Sequence, residues 1–364
     1  MLAFACPVCR RLVTFESSLC LHCASQLGYD PQSRSMVAVQ APGDGPAGAP
    51  PPGRARAPAD PDRAPAAPAF RCANAQLAAC NWTVAAEGEL CASCRLTRVR
   101  PSDDDPDGLG GFAAAESAKR RLLFELAQLE LPVVSWRERE GGLAFELLSS
   151  ARGPVSTGHA DGVITLDLDE TDPAHRERMR VRLHEPYRTV LGHFRHEIGH
   201  YYQPLLLARA PDATERSREL FGDERADYQQ AMDRFYRHGA PAGWEQRFVS
   251  AYATMHPWED WAETFAHYLH IRDSVQTAAA YGVRVAGPDV ATTDPLPLHS
   301  LPARAGEHIA GVLEAWIPLT YALNAISRSM GADDLYPFVL TAAVEAKLAF
   351  IDELVRVGDI PLNA

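Results

Sequence analysis

The residues of this chain best suited to chemistry are the two histidines and the glutamate of His196-Glu-Ile-Gly-His200. On a helix, positions i and i+4 share a face, so both imidazoles project together. Neutral imidazoles at that spacing can hold Zn²⁺ and leave open positions for water and a substrate. Glu197 follows the first histidine and can take the proton of a water that the ion activates. The helix is expected between Pro186, suited to a first helical position, and Pro204, which should end it. Gly199 permits close approach of another segment. His193 shares the histidine face one turn earlier and reads as a supporting or packing group, and Tyr201 and Tyr202 read as core.

The stretch Tyr252 to His270 carries a second set of chemical groups. His256-Pro257 has the form of a helix start. Trp258, Trp261, Ala262, Phe265 and Leu269 make an apolar stripe, while Glu259, Glu263, His267 and His270 follow one another at offsets of four, four and three on another face. Carboxylates beside an aromatic stripe are partly buried. Uncompensated, that costs on the order of several kcal/mol or forces protonation. Zinc and a metal-bound imidazole would supply the compensation. Asp223 and Asp227, i and i+4 in a helix expected to open at Phe221, compete as carboxylate ligands.

Cysteines supply a third kind of site. Cys6-Pro-Val-Cys9 and Cys20-Leu-His-Cys23 are two C-x-x-C knuckles ten residues apart. Each knuckle presents two thiolates to one tetrahedral ion, and zinc then contributes folding free energy that so short a segment cannot draw from a core. His22 reads as a bystander. Cys72, Cys80, Cys91 and Cys94 form a second set of four, with only the last pair in a knuckle. Cross-pairing between the sets stays open. Trp82 is expected to pack next to the second site.

The elements that must position these groups follow from pattern. Residues 41–69, rich in Pro, Ala and Gly, read as a linker, and 101–110 as an acidic hinge. A helix is expected from Phe112 to Glu130, with Ala115, Ala118, Leu122, Leu126 and Leu129 on its apolar face. Leu143, Phe145 and Leu147 alternate as in a strand, and a second strand fits Val163 to Asp169. His159 and Asp161 read as turn residues before it. A helix from Glu307 to Arg328, kinked at Pro318 and capped by Gly331, precedes a last helix from Pro337 to Val357. Val339, Ala343, Ala346, Phe350 and Leu354 are its expected buried stripe. These helices brace the core and carry no chemistry.

The chain's 364 residues exceed one small core, and its net charge of −12 speaks against nucleic-acid binding by the protein as a whole. The N-terminus lacks a basic region followed by an apolar run, so no signal peptide is expected. The apolar stretch Ile309 to Ile326 contains Glu314, Pro318 and Asn324, which mark a buried helix rather than a membrane span. A soluble cytoplasmic protein is the expectation, and in a reducing compartment eight paired cysteines point to metal rather than disulfides.

H-E-x-x-H followed by E-x-x-x-D/E on a later helix resembles the gluzincin metallopeptidases. The resemblance implies Glu259 as third zinc ligand and Glu263 as the acid that accepts a hydrogen bond from a metal-bound histidine. Glu263 as the ligand, with Glu259 exposed, is the alternative. Tyr252, seven residues before Glu259, resembles the tyrosine at that offset in anthrax lethal factor, where the phenol helps stabilise the oxyanion. In such peptidases the edge strand before the motif helix commonly pairs with an extended substrate, and Val163 to Asp169 is the natural candidate. Two cysteine clusters ahead of Leu191-Gly-His-Phe-Arg-His-Glu-Ile-Gly-His and His256-Pro-Trp-Glu-Asp-Trp-Ala-Glu are similar to a bacterial zinc-ribbon, zinc-binding metallopeptidase family.

The expected architecture is α+β: a zincin-like, mainly helical catalytic domain with a small β-sheet over 101–364. A Cys₄ zinc ribbon at 1–40, the linker at 41–69 and a second ribbon at 70–100 precede it. The expected metals are one catalytic zinc on His196, His200 and Glu259, with Glu197 as base and Tyr252 at the oxyanion, and two structural zincs. The expected partner is a peptide or protein substrate, with no membrane. A protein partner for the ribbons fits too. A zinc-ribbon scaffold or adaptor that binds without cutting is the alternative.

Overall fold

A computed structural model describes residues 2–40, 69–183, 185, 187–286 and 307–357. The expected linker, apart from Ala69, and Pro186 lie outside the described residues. The first knuckle joins β1 (Phe4–Ala5) to β2 (Leu12–Val13), and the second leads into the hairpin of β3 (Leu27–Asp30) and β4 (Ser35–Ala38). Arg10 and Ala24, directly after each knuckle, adopt left-handed backbone with φ of 62° and 57°, which turns the chain sharply behind the thiols. In the second set, β5 (Phe70–Arg71) pairs with β6 (Thr83–Val84) around Cys72 and Cys80. The short helix α1 (Ala92–Arg95) starts at Cys91, whose sulfur accepts the Cys94 N–H at 3.4 Å.

Next come strand β7 (Thr97–Val99) and the long helix α2 (Pro106–Gln128). The stretch read as an acidic hinge in fact starts this helix. Asp105 accepts the Gly108 N–H at 2.9 Å and Pro106 fills the first position. Helix α2 is the floor of both cysteine modules. Phe124 packs on Phe15 at 4.8 Å and on Tyr29 at 5.6 Å, ring to ring. Arg120, 3% exposed, donates to the carbonyls of Ala78 and Ala79 at 3.2 Å each. Trp82 does more than pack beside its own cluster, because its ring lies 5.4 Å from Tyr29 and so ties the second module to the first.

The sheet is small. Strands β7, β8 (Ala144–Leu148), β9 (Gly158–Ala160) and β10 (Val163–Asp167) lie in the order β7-β8-β10-β9. The pairs β7/β8 and β8/β10 are parallel, and β10/β9 is antiparallel. Phe145, Leu147, Ile164 and Leu166 are fully buried, as their alternation requires. The second expected strand ends at Asp167, where a 3₁₀ turn takes over. It is also interior: β10 is flanked on both sides, so the edge expected of it belongs to β9, too short to show in a periodicity.

Helix α3 (Pro173–Leu183) precedes α4 (Val190–Leu207), which carries the histidine motif. Thr189, not Pro186, starts α4, its hydroxyl accepting the Gly192 N–H at 2.9 Å. Pro204 does not end α4 but sits inside its last turn, where a missing donor removes one bond only. Helices α5 (Ala213–Phe221) and α6 (Tyr228–His238) lead to α7 (Pro257–Ala280). As expected, His256 caps α7 and Pro257 is its first residue. Trp261, Ala262, Phe265 and Leu269 are buried, but Trp258 is 45% exposed.

Helix α8 (Ile309–Ser329) is long and apolar enough to cross a membrane by length and composition; here it buries Val312, Trp316 and Leu319. Pro318 lies inside it, and Gly331, with φ of 80°, follows its end. The last helix, α9 (Ala342–Arg356), begins at Thr341 rather than Pro337, because the Thr341 hydroxyl caps it. That shifts its buried face to Val344, Lys347, Leu348 and Ile351, with Phe350 and Leu354 as expected and Val339 72% exposed.

The contact that matters most joins α4 to α7. A Cβ on Gly199 would lie 3.0 Å from Ala262 Cα and 3.2 Å from its carbonyl oxygen, and Trp261 Nε1 donates to the Gly199 carbonyl at 3.1 Å. Gly199→Leu should therefore destabilise the fold by about 1–3 kcal/mol through overpacking. It should also part the two helices, seen in urea denaturation and as loss of one zinc per chain.

Candidate metal centre

The crossing of α4 and α7 brings four of the expected groups together. His196 Nε2 and His200 Nε2 are 3.2 Å apart, and Glu259 Oε2 lies 3.0 Å from the first and 3.6 Å from the second. A four-coordinate zinc with ligands at about 2.0–2.1 Å separates its ligand atoms by about 3.3 Å. The three atoms thus stand at the vertices such an ion requires. His196, Glu197 and His200 also offer ligand atoms within 4.8 Å of one another, so Glu197 lies beside the same point.

Charge gives the same answer. His196 Nδ1 lies 2.7 Å from Glu263 Oε1, and an ionised carboxylate only accepts, so the Nδ1–H donates to it. A neutral His196 then turns its Nε2 lone pair toward Glu259 Oε2, itself buried and without a hydrogen bond. Two lone pairs facing each other at that distance call for a positive charge between them, from a metal ion or, without one, from a proton on His196. With no ion, burial opposes charge on both groups, yet their contacts override it. Glu259 and Glu263 raise His196 well above its ordinary value, and His196 and His200 hold Glu259 below the usual carboxylate range. Burial raises Glu197, which is 8% exposed, above its ordinary value. These residues fit zinc.

Glu263 is fully engaged, since its second oxygen accepts from the Ser250 hydroxyl at 2.6 Å. Tyr252 lies in a 3₁₀ turn with its ring 5.9 Å from that of His196; burial raises its phenol, which stays protonated. The other expected groups separate. His267 shares a 2.6 Å hydrogen bond with the Tyr336 hydroxyl, and His270 packs on Tyr187 and Tyr336, so both belong to the aromatic core. Burial holds His193 down to about 4. Asp223 is paired to Arg225 and Asp227 caps α6, which removes both from the competition for a third ligand. His159 lies in β9 rather than in the turn, and its ring stacks on His200 at 6.3 Å and 14°. Spacing gave no sign of Ser250 or of Tyr228, whose hydroxyl donates to Glu259 Oε1 at 2.9 Å.

The cysteines group as Cys6, Cys9, Cys20, Cys23 and Cys72, Cys80, Cys91, Cys94. All eight are free thiols. Sulfur separations of 3.7, 3.5 and 3.6 Å for Cys6/Cys23, Cys9/Cys20 and Cys80/Cys91 match the edge of about 3.7 Å around zinc with Zn–S about 2.3 Å. Cys72 sulfur accepts the N–H groups of Asn74 and Cys91 at 3.5 and 3.3 Å, which favours thiolate. His22 is exposed.

A family described as "Putative zinc-binding metallo-peptidase" matches residues 109–354, and a zinc-ribbon domain family matches residues 3–105. An uncharacterized protein of Mycobacterium bovis and two of Mycobacterium tuberculosis are each 49% identical over 355 residues, covering 97% of this chain and 94% of theirs. No solved structure gives a significant match.

Two outcomes follow from this geometry. Elemental analysis should find a third zinc per chain beyond the two in the cysteine clusters, and His196→Ala/His200→Ala should lose that one alone. Acid should also weaken the fold. Burial holds His267 near 4 against an ordinary 6.5. Below pH 6.5 the unfolded chain takes up a proton that the folded chain refuses until about pH 4. Stability present above that window is therefore lost as the pH falls through it. Melting temperature across the window should fall less steeply in His267→Gln than in the parent, protonation of the zinc ligands being common to both.

Proposed function

Because the chain belongs to the zinc-binding metallopeptidase family, we propose that it hydrolyses peptide bonds with Glu197 as the base and His196, His200 and Glu259 as the zinc ligands. The observation that carries this reading is the convergence of Glu259 Oε2 on the two Nε2 atoms, with Glu197 beside them. Both Glu263 oxygens are already engaged and Glu259 is 3% exposed, which supports Glu259 over Glu263 as the ligand. Zinc, when bound, supplies the Lewis acidity that polarises the scissile carbonyl and acidifies water.

The remaining steps fall to the chain's own groups. Glu263 holds the His196 Nδ1–H, which keeps the Nε2 lone pair directed at the centre. Glu197, raised by burial, accepts the proton of the attacking water and returns it to the leaving amine. Tyr252 keeps its proton and donates to the developing oxyanion. An extended peptide would add to β9, whose outer side has no neighbouring strand among the described residues. The two cysteine clusters hold structural zinc.

Glu197→Gln tests the reading. The amide cannot take the proton, so hydrolysis of a peptide library should drop by about 10²-fold or more, with zinc content and melting temperature kept. Full activity in that variant would sink the mechanism.

A further inference from the structure

Glu259 has two oxygens in different situations. Oε2 faces the two imidazoles, and Oε1 accepts the Tyr228 hydroxyl at 2.9 Å. A carboxylate free to rotate can chelate an ion through both oxygens and so fill the position that water or substrate needs. One whose far oxygen is held by a donor presents a single oxygen in a fixed direction. We propose that Tyr228 is the positioning residue of the metal centre, holding Glu259 so that Oε2 alone meets the ion. This rests on the reading of Glu259 as a ligand.

Tyr228 is built into place, although it is 36% exposed. Asp227, immediately before it, caps α6 by accepting the Gln230 N–H at 2.9 Å. The Tyr228 ring packs on His256 at 5.2 Å and on Trp258 at 6.2 Å. His256 in turn reaches back from the start of α7 and donates through Nε2 to the Ala226 carbonyl at 3.0 Å. The start of α6 that carries Tyr228 and the start of α7 that carries Glu259 are therefore one mechanical unit.

The two tyrosines then divide the work. Tyr252 packs against Phe235 of α6 at 5.8 Å, with its ring 5.9 Å from that of His196. Tyr228 acts through Glu259, to which its hydroxyl donates. Tyr252 is the one placed to meet a substrate.

The test is the zinc affinity of the third site, read by chelator competition on full-length protein with the cysteine sites filled. Four proteins are compared: the parent, Tyr228→Phe, Glu259→Ala and the double variant. Tyr228→Phe keeps the ring against His256 and Trp258, so its melting temperature should match the parent's, while its affinity should fall about 10-fold or more. Once Glu259 is gone there is no carboxylate to hold, so removing the hydroxyl should cost nothing more. A merely structural tyrosine would weaken the site equally with and without Glu259. Parent-like affinity in Tyr228→Phe, or that equal loss, overturns the proposal and leaves the ligand assignment standing. Parent-like affinity in Glu259→Ala overturns the ligand assignment itself, and the proposal with it.

Discussion

Helices α4 and α7 meet at Gly199, where a single methyl group would press within 3.0 Å of Ala262 Cα. Everything in the metal centre depends on that approach. His196 and His200 stand one turn apart on α4, and Glu259 and Glu263 stand one turn apart on α7. With the two backbones this close, one pair reaches the other directly. Glu259 spans the two Nε2 atoms while Glu263 takes the Nδ1–H behind His196. With α7 further out, the carboxylates would fall short of the histidine nitrogens. Glycine is the residue that removes the steric limit, and the Trp261 indole bonded to the Gly199 carbonyl locks the register.

Buried ion pairs hold the two helices from outside. Arg195, next to the first zinc-site histidine, grips Glu125 of α2 through both nitrogens of its fork and reaches Asp273 of α7 at 3.1 Å. Lys347 of α9 pairs with Asp260, next to Glu259, at 2.6 Å. Such pairs gain little net stability, because desolvation offsets their attraction, but breaking one leaves a bare buried charge. Their contribution is therefore positional. A rotation of either helix about its axis would strip a buried charge of its partner, so Arg195 beside His196 and Asp260 beside Glu259 fix the direction of those two groups.

How much of this was legible in the chain depends on the range of each rule. The pairs His196/His200 and Glu259/Glu263 were legible because i, i+4 on a helix is a local statement, true wherever the helix goes. The first cysteine set was legible because a knuckle is equally local, whereas the second, with a single knuckle, left cross-pairing open until the fold grouped its sulfurs. Cap chemistry shifted the helix boundaries: Thr189 and Thr341 started helices that prolines had suggested earlier, and Asp105 started one that apolar spacing had placed at Phe112. The interior place of β10 was not legible, because strand order is a topological fact that its own alternation does not carry. Nor was the bond from Tyr228 to Glu259, 31 residues apart, or from Ser250 to Glu263. Both join segments with no shared periodicity, and only the folded loop before α6 and the 3₁₀ turn before α7 set their distance.

The same range argument bears on the cysteine modules. Read along the sequence, they are appendages ahead of a catalytic domain. In the fold, α2 contacts both sides within six residues. Arg120 holds the Ala78–Ala79 loop, Arg121 pairs with Glu16 at 2.7 Å, Phe124 enters the ring cluster of Phe15 and Tyr29, and Glu125 then turns to Arg195. A helix cannot rotate to suit one side without displacing the other, since its residues are fixed at about 100° apart. The aromatic core under the cysteine clusters and the charge pair beside His196 are thus held by one rigid rod. Through α2 the cysteine modules are part of the frame that aims the zinc-site helix.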